Sequence, residues 1–543
     1  MVSVSPERFG PGPVGAAEAP VADRTPAATA ARERAAAPHE APGVDPLRLG
    51  RAAAVVGVFA ALVSMTGSWI PSLWGDEAAS VLSATRPLDG LLSMLTRIDA
   101  VHGAYYLGLH EWVRLFGASP FAVRLPSALA IGACAAAVTW LCGRLAGAGR
   151  PASIRFAVLA GTITAVLPRL TYAGEEARGY AFAAALATLL WVVVVETLRR
   201  GMPSRRGWAV YAVVLAVGVY VFLYVALLAV AVGVVLSMDR DRRRHLRHWA
   251  VASAAAALAV APLVVLGQLQ RHQIAFLAHR NAARLDTVLV KMWFGAWPFA
   301  LVAWVLIGLA AVLWVRGLVR GPHAVPRLDL ETVAVAWLVI PTGVLLLANA
   351  VIADYTPRYG TFAAPAAAIL MALGVRRLDG IHFSKRMPGA LVAGIAVAAV
   401  LVAAAPVYVG QRTEHAKNQS DWNDIAATVQ HAAREGDAIV FDASVRPSRR
   451  PRLALDTRPA AFAGLNDVLL KTPYTESATW HATTYGIPEA AARGRFLGVT
   501  RVWLVEYEND APDTWGVADL EALGFRVAEH IDLHRSDVYL LTR

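Results

Sequence analysis

The sequence predicts an α-helical polytopic membrane protein that ends in a small soluble α/β domain, and three observations carry that prediction. The 543-residue chain is 57% hydrophobic with a mean hydropathy of +0.47. Its apolar residues gather into repeated runs of about 17–25, the length at which a helix crosses a hydrocarbon core of about 30 Å. From Gln411 onward these runs stop, and short helix and strand patterns alternate instead.

Residues 1–47 are rich in Ala, Pro, Gly and Glu and have no apolar stripe. They read as a disordered cytoplasmic tail rather than a cleavable signal, because the first apolar run begins only after Arg51. The membrane region, residues 48–410, contains about eleven predicted spans: 52–71, 121–146, 153–170, 180–198, 207–221, 222–238, 248–268, 296–318, 331–353, 361–376 and 388–409. The apolar stretch from Trp208 to Met238 is too long for one crossing, and the reading splits it near Phe222.

The net charge is +11. The arginines cluster between apolar runs without interleaved aromatics, the pattern of cytoplasmic loops rather than of nucleic-acid binding. One predicted inner loop holds Arg240, Arg242, Arg243, Arg244 and Arg247, whereas one predicted outer loop holds only Arg358. With the N-terminus inside, this bias holds along the chain provided that residues 102–117 do not cross. That segment is short and carries His110, Glu111 and Arg114, so it reads as an amphipathic helix in the outer interface. Leu88, Leu91, Leu92 and Leu95 mark a second such helix, which completes a first outer loop at about 72–120. Cys134 and Cys142 lie eight helical residues apart, about 12 Å along the axis and too far for a disulfide.

In residues 411–543, "DWNDIAATVQHAAREG" predicts a helix and "DAIVFD" a strand. "VTRVWLVEYE" predicts a second strand, "TWGVADLEALG" a helix and "SDVYLLTR" a last strand. An odd number of spans places this domain outside the cytoplasm.

Four polar groups fall in the predicted outer loops. They are Asp76 and Glu77; Asp99, His102, Tyr105 and Tyr106; Glu175, Glu176, Arg178 and Tyr180; and Asp354, Arg358 and Tyr359. Each has a plain alternative, such as a helix cap, a surface ion cluster or a snorkelling arginine. Their placement on one face favours a shared cavity. The chain lacks a Walker A sequence, a GxSxG elbow and paired Cys/His ligand spacing. What remains, carboxylates with arginines and aromatics, suits sugar transfer from a lipid-phosphate donor. A carboxylate would take the proton of the attacking hydroxyl, and an arginine would neutralise the departing phosphate. Two other classes fit less well: a membrane transporter, for which the chain shows no internal repeat, and a non-enzymatic envelope-assembly protein.

"DAVHGAYYLGLHEWVRLFGASPFAVRLPSALA", "WGDEA", "EEARGYA" and "TPRYGTFAAPA" together resemble motifs of the protein O-mannosyltransferase-like GT-C glycosyltransferases, over about residues 50–380. The resemblance implies a GT-C-like fold, an inverting mechanism and a polyprenyl- or dolichyl-phosphate sugar donor. It makes Asp76 the acceptor-activating carboxylate, with Glu77 beside it. Arg358 and Arg178 would face the donor phosphate, and His102, Tyr359, Glu175 and Tyr105 would bind substrate. The chain reads His-Gly-Ala-Tyr-Tyr where many relatives read His-Pro-Pro-Leu-Tyr, which leaves the acceptor open among glycolipid, glycan and protein. The Ala/Arg-rich composition points to a bacterial cell membrane, where the resemblance implies polyprenyl-phosphate mannose as the donor. Asp76, Glu77 and His102 are also residue types that ligate Mg²⁺ or Mn²⁺, at a spacing that is not diagnostic.

Overall fold

The computed structural model describes residues 45–145, 154–199, 204–273, 283–320, 329–351, 355–379, 388–508 and 515–543. The predicted tail up to residue 44 and Asp354 lie outside them. The described chain is mostly helical. Among the described residues, eight helices are long and apolar enough to cross a membrane, or nine with a bent pair, Ile154–Val166 and Pro168–Gly174.

The first span begins earlier than the apolar run indicates. Pro46–Met65 is helical because the Asp45 side chain accepts from the Leu47 amide and Pro46 occupies the first turn. The predicted span 153–170 is instead bent by 63°. Leu167 is extended and Pro168 has no amide hydrogen, so the helix cannot run through. The predicted break near Phe222 is present. Arg205–Val221 ends there, Phe222 is extended, and Leu223–Ser237 follows as a shorter apolar helix.

The first loop contains three helices rather than two: Gly75–Ala84, Leu88–Leu95 and Gly103–Phe116. Gly75–Ala84 escapes a periodicity search because nine of its ten residues are buried and it therefore has no polar stripe.

The C-terminal residues form a five-stranded sheet and a two-stranded hairpin. The strands are β1 (Ala438–Phe441), β2 (Asn466–Asp467), β3 (Leu470–Thr472), β4 (Thr483–Thr484), β5 (Arg501–Tyr507), β6 (Arg526–Asp532) and β7 (Ser536–Thr542). The sheet order is β2-β1-β5-β7-β6, with β1 parallel to β2 and β5, and β7 antiparallel to β5 and β6. Its apolar residues divide by the two-residue period of a strand. Ile439, Phe441, Trp503, Val505 and Leu540 face one core, which also contains Leu82, Leu91, Tyr106, Leu109 and Trp422. Ala438, Val440, Val502, Leu504 and Leu541 face another, with Ile487, Leu520 and Phe525. Burial on both faces explains the unbroken apolar runs in β1 and β5.

The first of these cores fuses the first-loop helices to the C-terminal domain, which puts both on one side of the membrane. An even number of crossings therefore separates Met65 from Gly410. The long helices and the bent pair between them satisfy that parity. With the bent pair as one crossing, Arg205–Val221 and Leu223–Ser237 either both cross or neither does.

Candidate active site

Asp76 lies in the first turn of the Gly75–Ala84 helix, where a helix N-terminus favours negative charge. Its Oδ2 accepts from Nη1 of Arg358, 282 residues later in the chain. Arg358 reaches it from the 3-10 turn Pro357–Ala363, which opens the next apolar span with Pro357 in the first position. The guanidinium carbon lies 4.9 Å from the Trp74 ring centroid and 5.9 Å from that of Tyr180, so aromatic faces back the cation. The pair is partly open, with side-chain exposures of 28% for Asp76 and 21% for Arg358. Burial alone would raise the Asp76 carboxyl, but the guanidinium groups of Arg358 and Arg178 outweigh it and hold it below its ordinary range.

Arg178 completes the centre. Its Nη1 lies 3.3 Å from the Asp76 carbonyl and 3.2 Å from the Tyr106 hydroxyl, and its Nη2 donates to His102 Nε2 at 3.2 Å. An acceptor at Nε2 fixes His102 as the neutral Nδ1–H tautomer. Burial and the charge of Arg178 both push the His102 pKa well below its ordinary value. Tyr106 in turn donates to Asp99 at 3.2 Å. Asp99 adopts a left-handed conformation with φ of 60°, and burial raises its carboxyl despite the opposing charge of Arg178. Tyr105 is buried beside this network, edge-on to Phe182. Tyr359 packs against Phe222 and Tyr224 at centroid distances of 5.8 and 4.8 Å.

Two predicted residues have a different surrounding from the one expected. Glu77 points away from Asp76 into a fully buried pair with Arg124, at 2.7 Å to Nε and 2.6 Å to Nη2. The same carboxylate accepts from the Ala177 amide at 2.9 Å. Arg124 also donates to the carbonyls of Ser68, Pro71 and Ser72. Glu77 therefore ties the first loop to the loop at 175–179. Glu175 is likewise sealed, 3.3 Å from both Arg412 Nη1 and Lys417 Nζ. Its neighbour Glu176 turns to the centre, with Oε1 3.9 Å from Arg358.

Asp76, Glu77 and His102 thus address three different arginines, and their side chains do not converge. Among the described residues no group of three His, Cys, Asp or Glu side chains is placed to hold a metal ion.

Sequence reading missed Arg124, Arg412 and Lys417. Arg124 left a signal, a charge entering an apolar span, which calls for a buried partner. Lys417 left none, because its burial depends on the fold bringing residue 175 to the foot of the last span. The Glu77–Arg124 pair supports a stability prediction. Glu77→Ala leaves a guanidinium buried without its counter-charge, which costs about 3–5 kcal/mol. The thermal unfolding midpoint in detergent should fall sharply, while that of Glu111→Ala, at an exposed pair, should not move.

The glycine before Asp76 marks a close approach. A Cβ on Gly75 would run into the backbone of Ser448, in the 3-10 turn Pro447–Arg449 of the C-terminal domain. That domain therefore sits directly on the turn that carries Asp76.

Membrane helices, the first-loop helices and a C-terminal domain over the Asp76 turn define a polytopic membrane protein. No family model and no curated protein sequence matches this chain. Among solved structures, ArnT from Cupriavidus metallidurans bound to undecaprenyl phosphate aligns with a TM-score of 0.53 and 14% identity, over 90% of this chain and 97% of that one. The same protein in its apo state aligns with a TM-score of 0.52 at 14% identity and the same coverage. At this identity the likeness establishes the fold.

Proposed function

We propose that the chain is an integral-membrane glycosyltransferase. It moves a sugar, mannose by the protein O-mannosyltransferase-like motifs, from a polyprenyl-phosphate donor to a hydroxyl of a cell-envelope acceptor on the outer face of the membrane, with inversion. The observation that carries this reading is the contact between Asp76 and Arg358, a base and a phosphate-binding fork at one partly open site. The GT-C fold supports it, as does the undecaprenyl phosphate in the ArnT structure.

In the reaction, the acceptor oxygen attacks the anomeric carbon as the bond from that carbon to the phosphate oxygen breaks. The bonding electrons leave on the phosphate, and the acceptor proton passes to Asp76. Phosphate is a competent leaving group, so no general acid is required, and charge neutralisation by Arg358 is the main electrostatic demand. In the resting site Arg358 keeps Asp76 ionised and weakly basic. A donor phosphate that takes over the guanidinium would release the carboxylate and strengthen it as a base. Glu77, Arg124, Glu175 and Lys417 hold the loops in place, while Arg178 and His102 orient the Asp76 turn.

Purified protein in detergent, given labelled polyprenyl-phosphate mannose and envelope extract, should form a mannosylated product with inverted anomeric configuration. A nucleotide sugar alone should give none. Turnover from the nucleotide sugar, or none from any polyprenyl-phosphate sugar, would overturn the proposal.

A further inference from the structure

Away from this centre, the first loop holds a buried cation with no counter-ion. Arg86 ends the turn after the Gly75–Ala84 helix and is 1% exposed. Its Nη1 donates to the Ser477 carbonyl at 2.9 Å and its Nη2 to that of Thr479, while Nε has no partner. Among the described residues no carboxylate is within ion-pair reach of it. Carbonyl oxygens solvate a guanidinium but do not neutralise it, and an uncompensated buried charge costs several kcal/mol. Burial accordingly pushes the Arg86 pKa down.

Arg86 lines a cavity of about 570 Å³ together with Thr85, Leu88, His110, Val113 and Arg114. His110 Nδ1 is engaged at 2.8 Å with the Ala84 carbonyl. Arg114 is 64% exposed and shares Glu111 at 2.8 Å, which leaves further donors of its fork for another acceptor. Glu111 is also 3.9 Å from His110 Nε2 and is itself 60% exposed, outside the cavity lining. Arg114, with donors to spare, therefore lines the cavity beside the buried positive charge of Arg86, while the Thr85 hydroxyl is already engaged by the Val81 carbonyl and the Tyr474 hydroxyl.

The rim is apolar. Leu91 and Met94 of the Leu88–Leu95 helix are buried, yet Leu88 and Leu92 on its other face are exposed at 46% and 48%. Leu115 and Phe116, which end the neighbouring Gly103–Phe116 helix, are exposed at 76% and 59%. Short helices that are apolar on their outward side lie in the membrane interface, at the depth where lipid phosphates sit.

We propose that this cavity binds the headgroup phosphate of an anionic membrane phospholipid, with its acyl chains over Leu88, Leu92 and Leu115. The phosphate supplies the counter-charge that Arg86 lacks and anchors the first loop to the bilayer. This site rests on the chain being a membrane protein and not on sugar transfer.

The test is lipid retention by the full chain from nanodiscs of phosphatidylcholine with or without phosphatidylglycerol, read by native mass spectrometry after detergent washing. The wild type should retain one phosphatidylglycerol. Arg114→Ala, at an exposed position that leaves folding intact, should lower retention about tenfold, the weight of one charge-assisted contact. Arg86→Gln should lower it at least as far. Equal retention of phosphatidylcholine would overturn the proposal, as would unchanged phosphatidylglycerol in Arg114→Ala, or displacement of all retained lipid by added polyprenyl phosphate. If Arg86→Gln fails to fold, Arg114→Ala alone decides.

Discussion

Asp76→Asn should lower sugar transfer by about 10²–10⁴-fold, the contribution of a positioned general base, with no loss of folded protein. The substitution is isosteric and keeps an oxygen for Arg358, so the turn and its neighbours stay in place. What disappears is the site that receives the acceptor proton. The loss should fall on kcat rather than on donor binding, because the donor phosphate is held by arginine. The wild-type pH profile gives a second readout. Arg358 and Arg178 hold the Asp76 carboxyl below its ordinary range, so the base stays ionised on acidification. The acid limb of kcat/KM in the free enzyme should therefore lie below the usual carboxylate value. Full activity in Asp76→Asn would remove this residue from the chemistry.

Arg358→Gln should cost about 10²–10³-fold in kcat, the usual scale for losing a preorganised charge at a developing anion. Arg358→Lys should recover little of it, since an ammonium cannot reproduce the two-pronged geometry or the stacking between Trp74 and Tyr180. The same substitution to Gln removes the nearest cation from Asp76. Its carboxyl must then rise, and the acid limb of kcat/KM should move to higher pH. A shift in that direction together with the rate loss separates a direct electrostatic role from mere misfolding. An unchanged acid limb would show that the two side chains do not interact in solution.

The sequence was legible wherever free energy is set by composition along a segment. Apolar length marked the spans, and the break at Phe222 followed from a run too long for one crossing. The C-terminal strands "AIVF" and "VWLV" and the helix from Trp422 were readable from apolar pattern and capping. Edge strand β6 was not, because Arg526–Asp532 is polar and exposed and is held in the sheet only by pairing with β7. The Gly75–Ala84 helix was hidden for the opposite reason, burial on nearly every side.

Asp76, His102, Arg178 and Arg358 could be placed in one group of polar clusters by the predicted side of the membrane, and the resemblance of their motifs to a known family singled them out within it. Only the tertiary structure separated Asp76 from Glu77 and Glu176 from Glu175. Asp76 and Glu77 point about 100° apart on their helix, and Glu175 and Glu176 diverge in the turn after Gly174, so one of each pair meets the open centre and the other meets a buried cation. Which cation that is depends on pairings 47 residues apart for Glu77 and 237 and 242 residues apart for Glu175, and no local pattern encodes those distances.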